Sequence, residues 1–162
     1  MLTFRKALAS DKADVWQILK SVIAGGDTYA FLPNSTKKEM LNYWFSSEKQ
    51  TYVAVLDDAI VGTFVMRANQ LGLGAHIANA SYMIAPNHAG KGIGYQMGAF
   101  SLQEARELGY RAMQFNLVIK TNAVAVRLWQ RLGFQIIGEI PEAFQHQTLG
   151  FVNAYIMYQK LE

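Results

Sequence analysis

Met83-Ile84-Ala85-Pro86-Asn87-His88-Ala89-Gly90-Lys91-Gly92-Ile93-Gly94, in the middle of a 162-residue chain, joins an apolar run to a helical pattern through three alternate glycines. It is entered from residues 76–85 (HIANASYMIA), an apolar run that reads as a strand and stops at Pro86, which has no N–H to give a ladder. It leads into residues 92–108, which read as a helix with Gly109 where a left-handed C-terminal cap belongs. Three alternate glycines between the two let the backbone bend tightly and come close to a ligand. The helix start beyond them presents unpaired N–H groups and the positive end of the dipole. Strand, turn and helix start together suit a phosphate or pyrophosphate, to which Lys91 can add a charge.

Outward from this turn the pattern repeats in both directions. Residues 2–8 read as a strand, and Ser10 as the cap of a helix with Val15, Ile18, Leu19, Val22 and Ile23 on one face, ended by Gly25-Gly26. Thr36-Lys37-Lys38-Glu39 is a capping box for a second helix. Residues 51–56 and 59–67 form a hairpin around Asp57-Asp58. Downstream, residues 111–119 read as a strand, 122–132 as a helix ended by Gly133, and 135–140 and 153–160 as the last strands. The order β-α-α-β-β-β-α-β-α-β-β predicts an α+β fold on a mixed sheet, with the 76–85 and 111–119 strands parallel across a helical crossover.

Bulk properties narrow the function. The length fits one domain, residues 1–162, and an apolar content of 51% with 17% charged residues fits a compact enzyme rather than a disordered binder. A net charge of +3 without a basic run longer than two residues argues against nucleic acid. There is no cysteine, which excludes disulfides, thiolate metal sites and a cysteine nucleophile, and which is compatible with a cytoplasmic location. The N-terminus has no signal-peptide pattern, and no stretch of about 18 apolar residues predicts a membrane span. His76, His88 and His146 have no metal-ligand spacing, so no metal is expected.

Three phosphate chemistries compete for the glycine turn. A P-loop needs Ser or Thr after Gly-Lys, and Gly92 follows Lys91 here. A dinucleotide site wants an acid closing the next strand, which instead ends at Ile119-Lys120. A coenzyme A-type site remains.

With these residues in place, the chain resembles the GNAT superfamily of N-acetyltransferases over nearly its whole length, and within it the branch acting on small molecules and amino acids. Gly92 and Gly94 match the glycines of Arg/Gln-x-x-Gly-x-Gly/Ala, with Ala89 where the Arg or Gln belongs. Asn122-x-x-Ala125-x-x-Leu128-Trp129 followed by Gly133-Phe134 matches Asn-x-x-Ala-x-x-Leu-Tyr and Gly-Phe, about 30 residues downstream. The stretches 138–144 and 150–158 resemble the branch that takes small amines, cyclic imino acids such as azetidine-2-carboxylate included.

The resemblance implies a mostly antiparallel sheet of about seven strands with splayed middle strands, flanked by about four helices. It implies acetyl-CoA as co-substrate. Met83 and Ile84 would offer backbone groups to the pantetheine arm, amides from Ala89 through Gly90, Lys91, Gly92 and Ile93 to Gly94 would hold the pyrophosphate, and Asn122 would touch the arm or adjoining backbone. Ala89 removes a charge-assisted contact of about 1–2 kcal/mol and shifts the grip to backbone amides. Trp129 stands where family members carry a tyrosine proposed to protonate the leaving thiolate, and an indole N–H is no proton source.

The chemistry asks for a neutral amine and a leaving thiolate. Deprotonating an alkyl ammonium of pKa about 10 at pH 7 costs roughly 4 kcal/mol, whereas a thiol of pKa near 8.5 leaves with little help. Asn79 and Asn116, polar residues inside apolar runs on the two middle strands, are the candidate catalytic residues, orienting the amine and a water; bonding to neighbouring backbone is the other role open to them. Ser81 and Tyr82 are further candidates, and the aromatic residues Tyr29, Phe31, Tyr43, Trp44 and Phe45 are read mainly as core. The expected activity is transfer of an acetyl group to a small-molecule amine, amino and imino acids included. A non-catalytic acyl-CoA-binding or sensor domain and acetylation of a protein amine are the rival readings. A homodimer is compatible with so small an apolar enzyme, and the sequence locates no interface.

Overall fold

The computed structural model describes all 162 residues. The elements are β1 (Leu2–Lys6), α1 (Lys12–Ile23), α2 (Lys37–Trp44), β2 (Gln50–Leu56), β3 (Ala59–Ala68), β4 (Ile77–Ile84), α3 (Ile93–Glu107), β5 (Ala112–Ile119), α4 (Ala123–Arg131), β6 (Gln135–His146) and β7 (Gly150–Lys160). They form one seven-stranded sheet in the order β1-β2-β3-β4-β5-β7-β6. Every pairing is antiparallel except β4–β5, which is parallel as the helical crossover requires. This is the expected α+β architecture with four helices. None of them is long and apolar enough to cross a membrane.

Strand alternation divides the core into two layers. Ala78, Ala80 and Tyr82 of β4 pack with α3 and α4 side chains such as Met97 and Leu102 on one face. Met83, Val65 and Val53 pack on the other face against Val15, Leu19, Met40 and Trp44 of α1 and α2. On that second face the helices stop short of β5, and the sheet beyond β4 is left without a helix over it. Trp44 closes the layer by donating from Nε1 to Thr63 Oγ1 (2.9 Å), whose own hydroxyl donates to Tyr52 C=O (2.8 Å).

Local chemistry explains most boundaries. Thr36 Oγ1 accepts from Glu39 N–H (3.2 Å) and Thr36 N–H donates to Glu39 Oε2 (2.7 Å), the reciprocal capping box the sequence spells. Asp57 and Asp58 adopt φ 47° and 67°, the left-handed pair a two-residue hairpin turn needs. Two expectations fail. Ser10 caps nothing: β1 ends at Lys6, and the Asp11 carboxylate before α1 accepts from Leu8 N–H (2.7 Å) and from both Arg5 Nη1 (2.7 Å) and Nη2 (3.1 Å). The last two strands do not start and stop at residues 140 and 153. They run to His146 and from Gly150, because the irregularity at Pro141–Glu142 is absorbed as a bulge in which Asn153 Oδ1 accepts from Glu142 N–H (2.9 Å).

Asp11 is buried at 6% exposure, and the Arg5 hydrogen bonds hold its carboxyl below the usual carboxylate range against the opposing effect of burial. A carboxylate lowered in the folded state stabilises above its unfolded pKa and loses that contribution as pH falls through the folded one. Asp11→Asn is therefore expected to cost about 1–2 kcal/mol in denaturant unfolding at pH 7, allowing for the exposure of Arg5. It should also flatten the acid limb of stability below about pH 4; an unchanged acid limb would remove this pair as its source.

Candidate functional site

The site begins where β4 and β5 separate. Their parallel pairing covers only Ile77 with Ala112 and Ala78 with Met113. Beyond that point β5 takes up an extra residue against β7, between Phe115 (opposite Met157) and Val118 (opposite Tyr155). Such a bulge bends its strand, and here it turns β5 away from β4. The gap is floored by aromatic rings: Trp129 of α4 lies 4.7 Å from Tyr82 and 4.6 Å from Phe115, and Phe115 stacks on Phe134 at 4.4 Å.

The backbone polarity of the gap follows from the ladder phase. Asn69 N–H donates to Ile77 C=O (2.7 Å) and Ala85 N–H to Val61 C=O (2.9 Å), in a β3–β4 register without a shift. Odd-numbered residues of β4 thus bond β3, and Ala80, Tyr82 and Ile84 turn their N–H and C=O toward the departed β5. This corrects the expectation for Met83. Its backbone faces β3 and its side chain, 2% exposed, is in the core, so only Ile84 of that pair faces the gap and Tyr82 joins it.

The glycine turn stands at the end of the same strand. Gly90 and Gly92 have φ 76° and 78°, and a side chain on either would stand in open space. No side chain caps α3, whose first intrahelical bond runs from Gln96 N–H to Gly92 C=O. Ala89, Gly90, Lys91 and Gly92 are exposed, whereas Ile93 is buried and anchors the turn in the core. Gly94 serves differently: a Cβ there would meet Leu128 Cδ1 at 3.0 Å and Ile84 Cδ1 at 3.2 Å, so it lets α3 approach α4 and β4 closely. Asn122 caps α4 through Oδ1, which accepts from Ala125 N–H (3.3 Å), and leaves its side-chain N–H groups unengaged.

Asn79 and Asn116 are brought together, but by a residue the sequence reading missed. Asn69 Oδ1, from the end of β3, accepts from Asn79 Nδ2 (3.1 Å) and Asn116 Nδ2 (2.7 Å), and Asn116 Oδ1 accepts from Gln114 Nε2 (3.0 Å). The only signal for Asn69 was a polar residue at a strand end, common in loops. The four amides lie on the face of the sheet left open by α1 and α2.

Beside them is a crevice of about 20 Å³, room for a water-sized group, lined by Tyr43, Lys49, Arg67, Asn79 and Ser81 among others. Lys49 Nζ donates to Tyr43 C=O (2.6 Å) and lies 3.3 Å from the Tyr43 ring centroid, with its nearest carboxylate, Glu48, at 4.0 Å. Burial lowers its pKa. Arg67, opposite Asn79 in the β3–β4 ladder, makes no ion pair. A larger cavity of about 510 Å³ opens next to Tyr43, walled by Phe31, Leu32, Thr36, Glu39 and Met40.

Tyr82 contributes backbone rather than its hydroxyl. Ser101 Oγ gives its proton to Gly98 C=O (2.7 Å) and so accepts that of Tyr82 (2.7 Å), inside the core, and burial pushes the phenol well above its ordinary pKa. No three His, Asp or Glu side chains are grouped to hold a metal.

The model of the acetyltransferase (GNAT) family matches residues 19–134, from α1 to the start of β6. The N-acetyltransferase aca1 of Schizosaccharomyces pombe is 37% identical over 101 residues, 60% of this chain and 47% of that protein. The chain thus spans less than half the length of that relative, and the match to Protein SPT10 of Saccharomyces cerevisiae (29% identity over 83 residues) spans 13% of that protein. A GCN5-related N-acetyltransferase from Kribbella flavida superposes with a TM-score of 0.93 at 37% identity, over 98% of this chain and 97% of that one. The fold is shared with yncA of Salmonella typhimurium, solved with its cofactor acetyl-CoA (TM-score 0.87, 20% identity, 100% and 95% coverage). The chain belongs to the acetyltransferase (GNAT) family.

Proposed function

We propose, from that membership, that the chain moves an acetyl group from acetyl-CoA to the amine of a small molecule by direct attack in a ternary complex, with residues 1–162 acting as one domain. One observation carries the reading. The β4 edge that faces the gap leads, through a turn at Pro86–His88, to the glycine turn and the uncapped start of α3, so one stretch of chain offers backbone donors and acceptors followed by an anion cradle. An extended amide arm ending in a pyrophosphate has that sequence of groups.

In this reading Tyr82 and Ile84 bond the arm, and Asn122 Nδ2 adds a donor from α4. The amides of Ala89, Gly90, Lys91, Gly92, Ile93 and Gly94 hold the pyrophosphate. Ala89 brings no charged side chain, so the backbone and the helix dipole carry the load. Acetyl-CoA supplies an activated thioester. The acceptor approaches from the open face of the sheet, where Asn79 and Asn116, held by Asn69, orient the amine and a water. Neutral amides take no proton, so the acceptor reacts as the fraction already neutral, its ammonium proton having been lost to the medium at a cost of roughly 4 kcal/mol at pH 7. The nitrogen's lone pair forms the new C–N bond, the C–S bond breaks, and the thiolate takes a proton that the nitrogen gives up. That route needs no acid from Trp129, whose ring is spent on the floor of the gap.

The cations of the crevice support a narrower acceptor class. Lys49 is buried with Glu48 at 4.0 Å, and Arg67, beside the Asn79 amide, makes no ion pair. A carboxylate on the acceptor would pair with Arg67, which favours an amino or imino acid. The open sheet edge at β6, with Ile136 and Ile137 exposed, supports the docking of a second copy there, and light scattering that shows only monomer would remove the homodimer.

Calorimetry with acetyl-CoA should show micromolar binding; no heat at high micromolar ligand would sink the reading. Gly92→Asn and Gly92→Asp have similar shape and both tolerate φ > 0. Asp should weaken acetyl-CoA binding about tenfold more than Asn, because it places a negative charge against a phosphate. Asn79→Ala and Asn116→Ala should lower kcat about tenfold or more with little change in acetyl-CoA affinity, through lost positioning. If thiol release with a library of amines finds acid-bearing acceptors, Arg67→Ala should raise their KM about tenfold and leave uncharged amines alone.

A further inference from the structure

On the β4 side of the gap between β4 and β5 the backbone is met at one point by a side chain. Tyr82 has both backbone groups turned into the gap, and a single atom satisfies both: Tyr29 Oη accepts from Tyr82 N–H (3.1 Å) and donates to Tyr82 C=O. Tyr29 comes from neither middle strand. It lies in the connection between α1 and α2, 53 residues away in sequence. A phenol can fill both roles at once only while it keeps its proton, and burial pushes Tyr29 up to about 12. Backbone groups shut inside a fold and left unpaired are costly. Tyr29 meets that cost where the missing strand would have met it.

We infer that Tyr29 is a positioning residue that holds the place of the acyl-CoA arm on β4 and is displaced when the arm binds. The arm and the phenol need the same N–H and C=O of Tyr82, and one strand edge cannot serve both. Displacement has a consequence beyond the slot. The Tyr29 ring stacks on Phe31 at 6.3 Å, and Phe31 meets Tyr43 edge-on at 5.0 Å. Phe31 and Tyr43 are walls of the 510 Å³ cavity, and Tyr43 also carries Lys49. The connection has its own turn at Gly25-Gly26, with Gly26 at φ 62°. Filling the slot therefore moves the wall against which an acceptor rests. The inference depends on the reading that the arm of acetyl-CoA lies along β4.

Tyr29→Phe keeps the ring and removes the competitor. Calorimetry with the full chain should show acetyl-CoA binding about threefold to tenfold tighter in Y29F than in wild type, one hydrogen bond's net worth. A residue that merely supports the fold would leave affinity unchanged or weaken it. Either result overturns the displacement, and a fall in kcat at unchanged affinity would assign Tyr29 to the chemistry instead. Hydrogen exchange supplies a second readout without a variant: acetyl-CoA should speed exchange across residues 27–35 in the wild-type protein, and unchanged or slowed exchange there overturns the inference. Wild type that binds no acetyl-CoA brings down the slot reading and this inference together. Wild type that binds, with Y29F no tighter, brings down this inference alone.

Discussion

After Ala78 and Met113 the two central strands stop exchanging hydrogen bonds, and the rest of the molecule is arranged around that separation. A sheet that opens in its middle leaves backbone donors and acceptors without the partner that normally justifies their burial. The bulge between Phe115 and Val118 bends β5 away, and the Tyr82, Phe115, Trp129 and Phe134 rings fill the space beneath. Apolar contact therefore holds the sheet open, and its polar consequences are concentrated in three residues of β4: Ala80, Tyr82 and Ile84.

Those consequences give the site its division of labour. Along β4 the free edge is polar and uncharged. At its end, Gly90 and Gly92, both at positive φ, present exposed backbone beside the uncapped start of α3. On the face that α1 and α2 leave uncovered stand the amides of Asn69, Asn79, Gln114 and Asn116 and the Arg67 guanidinium, with Lys49 buried beside Tyr43. The three environments suit an amide arm, a phosphate and an acceptor in turn, and each is set by a different property: strand phase, turn conformation and helix coverage.

Trp129 and Tyr82 show how one side chain can be committed twice. A tyrosine at position 129 would put a hydroxyl near the gap, whereas the indole completes its floor. The Tyr82 hydroxyl is tied to Ser101 in the core. Both rings act through what they hold in place, and the proposed reaction asks no proton of either.

Much of this was legible in the residues. Period-2 and period-3.6 patterns placed all seven strands and four helices, because burial on one face leaves its mark at local spacing. The alternate glycines marked the turn for the same reason: a positive φ is a local demand answered by a residue type. That Asn122 caps α4 through Ala125 N–H is seen only in the structure. Ser10 is a local failure: the next residue, Asp11, stands before α1 instead, held by Leu8 and Arg5. The other failures came where the partner was distant. Asn69 and Tyr29 looked ordinary because their partners lie 10 to 53 residues away. Met83 was assigned to the slot although the β3–β4 register turns it away. The amino-acid sequence alone determined the elements, their order and the glycine turn, since these rest on neighbours along the chain. Only the tertiary structure decided which backbone groups face the gap and what fills it, since ladder phase and long-range hydrogen bonds exist only once distant segments are packed together.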